Sequence, residues 1–328
     1  MDEAFKSTID PTCLQDPPLT KDLIKQLDVF GFCLYFMLTL MPCISLLLYL
    51  EQCAFIYKKL PYPKKTAIIW ISGGAPVLGT MACFGIWAPR ATMITDMTSN
   101  CYYAVVVYKF LVLLIEELGG ASDFLQRFSS KTFRIDTGPC CCCCPCFPRV
   151  QVTRQMLFLL KLGSLQNAIL RIVISVLSLI LWTNGIFNPA DLKVTGATLW
   201  IQLFMGVLTV ISLWPIGIVF MNINSLLHNQ KIIPKYAMYQ LIFVLIQLQT
   251  SIINILAFNG VIACAPPFSS RARGSMLSQQ LLIMEMFIIS LVTRSLYRRM
   301  YDPLPSEEQD NEQNEKEALQ TALVEHDV

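Results

Sequence analysis

Six of the thirteen cysteines lie in one segment, GPCCCCCPCFPR, and their spacing restricts the chemistry they could perform. They are Cys140, Cys141, Cys142, Cys143, Cys144 and Cys146. Consecutive cysteines separated by prolines lack the C-x-x-C spacing with which thiolates surround one zinc ion. Cysteines beside basic residues next to a membrane are instead plausible palmitoylation sites. The segment therefore predicts lipid attachment, with metal or cluster binding and an unmodified run as the alternatives.

Ionisable side chains within long apolar stretches form a second group of candidates, because charges there are costly and often functional. They are Lys109, Arg171, Glu285 and Arg294. Lys109 and Glu285 could pair with each other or with the amides of Gln247, Gln249 and Asn254. A structural ion pair is the simpler interpretation. The alternative is a polar, basic lining for an amphipathic anion within an apolar wall.

Two arginines near the ends of apolar stretches have a simpler explanation. Arg294 lies near one end of the last stretch, where its side chain can extend to lipid headgroups, so anchoring is favoured over binding. Arg90 follows Trp87 in FGIWAPR, at a depth where aromatic belts occur. Arg90 could anchor headgroups or attract an anionic substrate.

The chain carries no sequence motif for several classes of enzyme chemistry. It lacks H-E-x-x-H, G-x-S-x-G and a P-loop. Its two histidines, His228 and His326, are too few and too distant for a histidine metal site. A net charge of +2 gives no general attraction to nucleic acid. We therefore expect no enzyme, no cofactor and no bound metal.

The elements that position these residues are predicted by composition. The chain is 54% hydrophobic and 15% charged, whereas soluble domains carry about 25% charge. A bilayer span takes roughly 20 mostly apolar residues, and seven such stretches occur: residues 29–50, 66–87, 98–115, 164–182, 196–220, 236–258 and 276–296. We therefore predict an all-α integral membrane protein, a bundle of seven transmembrane helices.

Lysine and arginine counts predict the orientation. The segments on one side of the spans hold fourteen of these residues and those on the other side hold seven. Because cytoplasmic loops carry the excess, we expect the N-terminus outside and the C-terminus in the cytoplasm. Residues 1–28 are then extracellular, 29–299 form the membrane domain with a cytoplasmic Cys-rich loop at 116–163, and 300–328 form an acidic, mostly disordered cytoplasmic tail.

Two segments predicted to be extracellular resemble each other, CLQDPP at Cys13 and CAPP at Cys264. On an oxidising face two such thiols can form a disulfide. The alternatives are free thiols or a bond that involves Cys101.

Three local patterns give further expectations. Thr20 could cap a short amphipathic helix before the first span. In SGGAPVLGT the small residues permit close helix packing and Pro76 bends the second span; Pro42 and Pro215 interrupt the first and fifth. RQMLFLLKL, before the fourth span, could lie along the membrane interface as a separate amphipathic helix.

Four segments carry a resemblance to a known family: FGIWAPR, EELGG, TGPCCCCCPCFPR and IACAPPFSSRAR, in this order, with seven predicted spans and an acidic tail. From about Cys13 to Arg299 the chain closely resembles the alpha subunits of the heteromeric organic solute transporter. The cysteine run is the most specific part of the match.

The resemblance implies a function and partners. Members of that family move bile acids, conjugated steroids and related amphipathic anions down their gradients, without ATP or ion coupling. They act in the basolateral plasma membrane with a single-span beta subunit, and occur in the endoplasmic reticulum before assembly. The resemblance thus implies a multi-pass chain that contacts membrane lipids and associates with further alpha subunits. The alternatives are a seven-helix receptor, whose DRY and NPxxY motifs are missing, and a lipid-interacting membrane scaffold.

The resemblance also assigns roles to individual residues. Glu116 matches the family's acidic residue after the third span, and Glu285 its acidic residue in the seventh. Cys13 and Cys264 match its paired outer cysteines. Lys109 departs from the family's pattern, which more often places an apolar residue there.

Overall fold

The computed structural model describes residues 19–60, 62, 64–129, 132–135, 149–186, 196–223, 232–264 and 269–301. These form helices and two short strands: α1 (Thr20–Gln26), α2 (Val29–Lys59), α3 (Lys64–Ser72), α4 (Gly74–Trp87), a 3-10 turn (Pro89–Ala91), α5 (Thr92–Glu116), α6 (Gly120–Phe128), β1 (Thr132–Phe133), β2 (Val150–Gln151), α7 (Arg154–Thr183), α8 (Ala197–Ile223), α9 (Ile232–Val244), a π-helical turn (Leu245–Gln249), α10 (Thr250–Phe258) and α11 (Ser270–Tyr301).

Seven helical segments among the described residues are long and apolar enough to cross a membrane, which confirms the predicted seven-helix architecture. We number them spans 1 to 7: Val29–Lys59, Lys64–Trp87, Pro89–Glu116, Arg154–Thr183, Thr198–Ile223, Ile233–Ala257 and Ser270–Arg298. The side of the bundle where span 1 begins is called the amino-terminal face. The side where span 7 ends is the carboxy-terminal face.

The start of span 4 differs from the prediction. The helix begins at Arg154, ten residues before the predicted start, so RQMLFLLKL is the first part of span 4 and no separate helix. Thr153 caps it, since its hydroxyl accepts a hydrogen bond from the Met156 amide at 3.2 Å. Leu157 and Leu160 are buried, which holds this segment against the bundle. Span 3 likewise begins earlier than predicted, and Thr20 is the first residue of α1 rather than its cap.

Span 2 is broken within the membrane, at Gly73 between α3 and α4. Tyr49 of span 1 donates a hydrogen bond to the carbonyl of Ile69, and Tyr102 of span 3 donates one to the carbonyl of Trp70, each at 3.1 Å. A Cβ atom on Gly73 would collide with both phenol oxygens. The break therefore needs a residue without a side chain, whereas Pro42 and Pro215 lie within continuous helices.

Packing divides the bundle into two linked groups. Span 7 packs most extensively on span 2 and also contacts spans 1 and 6, while span 4 packs on spans 3 and 5. The larger apolar core lies among spans 2, 3, 5 and 6, with Ile68, Leu111 and Val219 fully buried. The outer sides of spans 1, 4 and 5 expose many large apolar side chains. In a seven-span protein such surfaces suit contact with lipid.

Candidate functional site

A cavity of about 150 Å³ lies among spans 4, 5 and 6. Its lining residues are Arg171, Gln202, Met205, Gly206, Thr209, Val210, Phe243 and Gln247. Gln202, Gly206 and Val210 are exposed at its rim, beside the exposed apolar side chains of span 5. The cavity thus opens sideways, towards the surface that a bilayer would cover.

The polar groups of this cavity lie at one depth. Arg171, Thr209 and Gln247 are each ten to twelve residues from the end of their span at the amino-terminal face. At a rise of 1.5 Å per residue this is about 15–18 Å along a helix axis. Because the hydrocarbon core is about 30 Å thick, the site lies near its middle.

Arg171 is the cation of the site. Its Nη2 donates a hydrogen bond to Thr209 Oγ1 at 2.7 Å, and the Thr209 hydroxyl donates to the Met205 carbonyl at 2.8 Å. Its Nε is buried without a hydrogen-bond partner among the described residues, and no carboxylate among them forms an ion pair with it. An arginine in the centre of a span costs about 3 kcal/mol on insertion, which makes Arg171 a candidate for a functional role.

A second pair of polar residues fixes how spans 4 and 5 meet below Arg171. Asn167 lies one helical turn from Arg171 and donates a hydrogen bond to Ser212 Oγ at 3.1 Å. Ser212 in turn donates to the Thr209 carbonyl at 2.8 Å. Both side chains are buried, so they hold the two helices in register and position Arg171 beside Thr209.

Gln247 is the polar contribution of span 6, and it lies in the π-helical turn. Its Nε2 donates to Asn100 Oδ1 of span 3 at 3.2 Å. Asn100 donates to the Asp96 carbonyl at 2.8 Å, and Gln279 of span 7 donates to the Asp96 carboxylate at 2.7 Å. A chain of hydrogen bonds therefore runs from the cavity towards the amino-terminal face.

The opposite half of the bundle contains a buried ion pair. Glu117 accepts hydrogen bonds from Lys64 at 2.5 Å and from Lys235 at 3.4 Å, which joins spans 2, 3 and 6. The Glu117 and Lys235 side chains are only 1% and 3% exposed. The Lys235 ammonium also lies 5.1 Å from the centre of the Tyr297 ring of span 7. One carboxylate thus helps to hold four spans at the carboxy-terminal face.

Stacked aromatic rings lie between this ion pair and the Arg171 layer. Tyr239 of span 6 stacks on Phe110 with centroids 4.5 Å apart, and Tyr236 stacks on Phe220 at 3.8 Å. Beside them is a cavity of about 20 Å³, lined in part by Lys235, Tyr239 and Tyr297. That volume holds about one water molecule.

Several predicted site residues lie elsewhere, and the structure does not pair Lys109 with Glu285. The Lys109 ammonium lies 5.8 Å from the centre of the Tyr108 ring. Glu285 is half-buried in span 7, and its Oε2 has no hydrogen-bond partner among the described residues. Asn254 is exposed in span 6 and does not line the cavity. Only Arg171 and Gln247, of the eight predicted residues, contact it.

The other predicted charges lie near the two faces. Arg294 pairs with Glu51 of span 1 at 2.5 Å, and Arg298 joins the same carboxylate at 2.6 Å, so Arg294 ties span 7 to span 1. Arg90 is exposed in the 3-10 turn at the amino-terminal face. Glu116 is half-buried, whereas its neighbour Glu117 is the buried ion-pair residue.

The predicted cysteine sites fall largely outside the described residues. Cys13 and the run at Cys140–Cys144 and Cys146 lie there. Cys264 is described and half-buried, and it is not among the free cysteines of the described part. Cys101, the alternative partner, is a free thiol 3.4 Å from Ser175 Oγ. The Cys13–Cys264 bond stays a prediction.

The geometry adds residues that the sequence did not single out: Asp96, Asn100, Glu117, Lys235, Gln202, Thr209 and Gln279. Gln202 and Thr209 are polar residues within an apolar stretch, which is a signal that could have identified them. Lys235 immediately precedes the predicted span 236–258, and its pairing with Glu117 joins residues far apart in the sequence.

The described residues form a multi-pass helical bundle with a sideways-opening cavity lined by an intramembrane arginine, which defines the class: a polytopic membrane protein with a candidate ligand site. Comparison with known proteins then gives the family. Residues 34–303 match the family described as Organic solute transporter Ostalpha. The chain belongs to this family, whose members are named as subunits of a solute transporter and not as enzymes.

Individual relatives agree with the family match. The chain is 56% identical to "Organic solute transporter subunit alpha" of Danio rerio over 97% of both chains. It is 39% identical to the protein of that name from Leucoraja erinaceus, over 90% of this chain and 85% of the relative. It is 37% identical to that from Homo sapiens, over 89% of this chain and 86% of the relative. No solved structure matches the chain significantly.

Proposed function

We propose that this chain is the alpha subunit of a heteromeric facilitative carrier for amphipathic organic anions such as bile acids and conjugated steroids. The observation that carries the proposal is the sideways-opening cavity with Arg171 at mid-membrane depth. An anionic group can accept hydrogen bonds from the N–H groups of the Arg171 guanidinium that do not bond to Thr209. Arg171 has no carboxylate partner among the described residues, and the bound ligand would supply the missing negative charge.

The size of the cavity favours an amphipathic ligand. Sites that enclose a drug-sized molecule have volumes of about 300–1,000 Å³, whereas this cavity has about 150 Å³. It therefore encloses the charged end of a steroid-sized anion and leaves the apolar body outside. The exposed side chains of Leu203, Val207 and Val210 continue from the rim and offer that body an apolar surface. The substrate would enter laterally from the bilayer.

The proposal of facilitative transport concerns the energy source of the carrier. The sequence has no P-loop for nucleotide hydrolysis. A carrier without an energy source moves its substrate in both directions and only down its gradient. This gives the proposal a kinetic signature that a seven-helix receptor or a scaffold does not share.

The remaining features of the proposal follow the family. The relatives are named as alpha subunits, and we propose a single-span beta subunit as the partner, with further alpha subunits in the assembled complex. We propose that the complex acts in the basolateral plasma membrane and that the chain resides in the endoplasmic reticulum before assembly. The amino-terminal face would then be extracellular, as the lysine and arginine counts indicate.

We also propose that Cys140–Cys144 and Cys146 are palmitoylated. The described residues on either side of that segment support a position at the carboxy-terminal face: Phe133 of β1 pairs with Val150 of β2, and Trp214 of span 5 donates a hydrogen bond to the Ile135 carbonyl at 3.1 Å. Acyl-exchange mass tagging tests this directly. Hydroxylamine-sensitive tags on this peptide support the modification, and their absence contradicts it.

Counterflow in proteoliposomes tests the carrier function. The purified alpha–beta complex is reconstituted with unlabelled steroid sulfate inside, and labelled steroid sulfate is added outside. We expect transient accumulation of label above equilibrium, because outward movement of unlabelled substrate returns the site to the outer face. Liposomes without internal substrate are the control. Binding without counterflow would indicate a receptor or scaffold and reject the carrier.

A further inference from the structure

Gln247 occupies an unusual position, because it lies in the π-helical turn Leu245–Gln249, which also contains Gln249. Gln247 lines the Arg171 cavity and contacts span 3. Gln249 does not line that cavity. π-Helical turns are rare and occur frequently at functional sites. This one keeps a hydrogen bond from Ser251 Oγ to the Gln247 carbonyl at 2.6 Å, which stabilises the irregular backbone.

The direction of the Gln247 amide follows from its neighbours. The Asp96 backbone carbonyl can only accept a hydrogen bond, so the Asn100 amino group must be the donor at 2.8 Å. Asn100 Oδ1 therefore faces Gln247, and Gln247 must donate through Nε2 at 3.2 Å. The side-chain oxygen Oε1 of Gln247 is left as an acceptor, with no hydrogen-bond partner among the residues that the structure describes.

The cavity thus combines a donor and an acceptor. Arg171 offers guanidinium N–H groups and a positive charge. Gln247 offers its side-chain oxygen Oε1, and the hydrogen bond to Asn100 fixes the orientation of that amide. Both line one cavity of about 150 Å³. A ligand that contacts both must therefore carry its anionic group and a hydrogen-bond donor at the same end, only a few bonds apart.

We propose that Gln247 is a specificity-determining residue that accepts a hydrogen bond from an N–H group next to the anionic group of the substrate. The chemical class that fits is an apolar acid conjugated through an amide to an amino acid or aminosulfonate, in which the amide N–H lies one or two carbons from the charge. This inference rests on the proposed carrier function, and it adds a residue that discriminates among anions of equal charge.

The test compares two labelled substrates that differ in one hydrogen-bond donor: the taurine conjugate of a bile acid and its N-methyltaurine counterpart. Initial uptake is measured in cells that express the chain with its beta-type partner, corrected for surface level by biotinylation. A neutral hydrogen bond contributes about 1 kcal/mol, so wild type should prefer the N–H substrate by roughly three- to tenfold in Vmax/KM. In Gln247→Met this ratio should fall to about one.

Matched variants separate this role from general effects. Gln249→Met changes the other glutamine of the same turn and should keep the wild-type ratio. Gln247→Leu provides a second apolar substitution if Gln247→Met does not reach the surface. Asn100→Leu removes the group that orients Gln247 and should lower the ratio while leaving the acceptor present. Arg171→Gln should lower uptake of both substrates.

The outcomes distinguish this inference from the carrier function. A wild-type ratio retained in Gln247→Met overturns the role of Gln247. Saturable wild-type uptake of both substrates without preference also overturns it, and leaves the carrier function intact. If neither substrate shows saturable uptake with a folded complex, the carrier function is rejected and the inference with it.

Discussion

In the carboxy-terminal half of the bundle Glu117 and Lys235 form a buried ion pair, whereas in the amino-terminal half Arg171 has no ion-pair partner among the described residues. In the carboxy-terminal half, Glu117 pairs with Lys64 and Lys235, next to stacked aromatic rings and a cavity of about 20 Å³. Arg171, in the other half, has only the Thr209 hydroxyl as a hydrogen-bond partner among the described residues and lines a cavity of about 150 Å³.

This difference separates stability from binding. A buried ion pair satisfies its own charges and needs no ligand, so we assign the carboxy-terminal half to holding spans together. Under the proposed function, an anion occupies the guanidinium donors of Arg171 that no described residue uses, and the amino-terminal half holds the substrate. Substitutions in the first half should then lower stability, and those in the second should lower transport at unchanged stability.

The largest expected effect on stability is that of Glu117→Gln. Removal of one partner of a buried ion pair costs about 3–5 kcal/mol, because the remaining charge is left uncompensated. We expect little folded complex at the surface and a lower unfolding temperature in detergent. Glu116→Gln is the control, since Glu116 is only half-buried and no described residue forms an ion pair with it. Equal stability of the two variants would contradict the assignment.

The next largest effect is expected at the break in span 2. Gly73→Ala places a Cβ against the Tyr49 and Tyr102 hydroxyls, and overpacking of this kind costs about 1–3 kcal/mol. We expect a lower unfolding temperature, measured by thermal unfolding of the purified complex. Gly74→Ala is the matched control, because the nearest atom to its Cβ is 3.9 Å away. A Gly73→Ala protein as stable as Gly74→Ala would show that the contact gives way freely.

The smallest expected effect is local, at the junction of the Cys-rich loop with span 5. Asn222 accepts a hydrogen bond from the Arg134 amide and donates one to its carbonyl, each at 3.2 Å. Asn222→Ala should raise hydrogen exchange at residues 132–135 and cost about 1 kcal/mol locally. Asn184→Ala, whose amide bonds only within its own helix, should leave that exchange unchanged. Unaltered exchange in Asn222→Ala would mean that the strand pair alone holds the loop.

The seven spans were predictable because each is long enough to cross a bilayer, and apolar length is a local property of the sequence. The start of span 4 was not, because Arg154, Gln155 and Lys161 give that segment an amphipathic pattern that equally suits an interfacial helix. Leu157 and Leu160 become buried only when span 4 packs against the bundle, and the local sequence does not show that packing.

The candidate site was predictable in part. Arg171 and Gln247 were found because polar residues within spans are costly. Their meeting with Thr209 was not predictable, because it depends on how spans 4, 5 and 6 pack. The pairing of Glu117 with Lys235 was missed for a related reason: an ion pair that joins residues 118 positions apart leaves no local pattern. Glu116 and Glu117 are also indistinguishable until the helix fixes which one faces inward.

Transport by arginine variants tests the assignment of Arg171 most directly. Initial uptake of a labelled steroid sulfate is measured for Arg171→Gln, Arg171→Lys and Arg294→Gln at equal surface level. A hydrogen bond to a charged group contributes about 1.5–3 kcal/mol, so Arg171→Gln should lower Vmax/KM about tenfold or more, with partial recovery in Arg171→Lys. Arg294→Gln removes one of the two arginines that pair with Glu51. It should leave the uptake, corrected for surface level, near wild type. Wild-type uptake by Arg171→Gln would contradict the account.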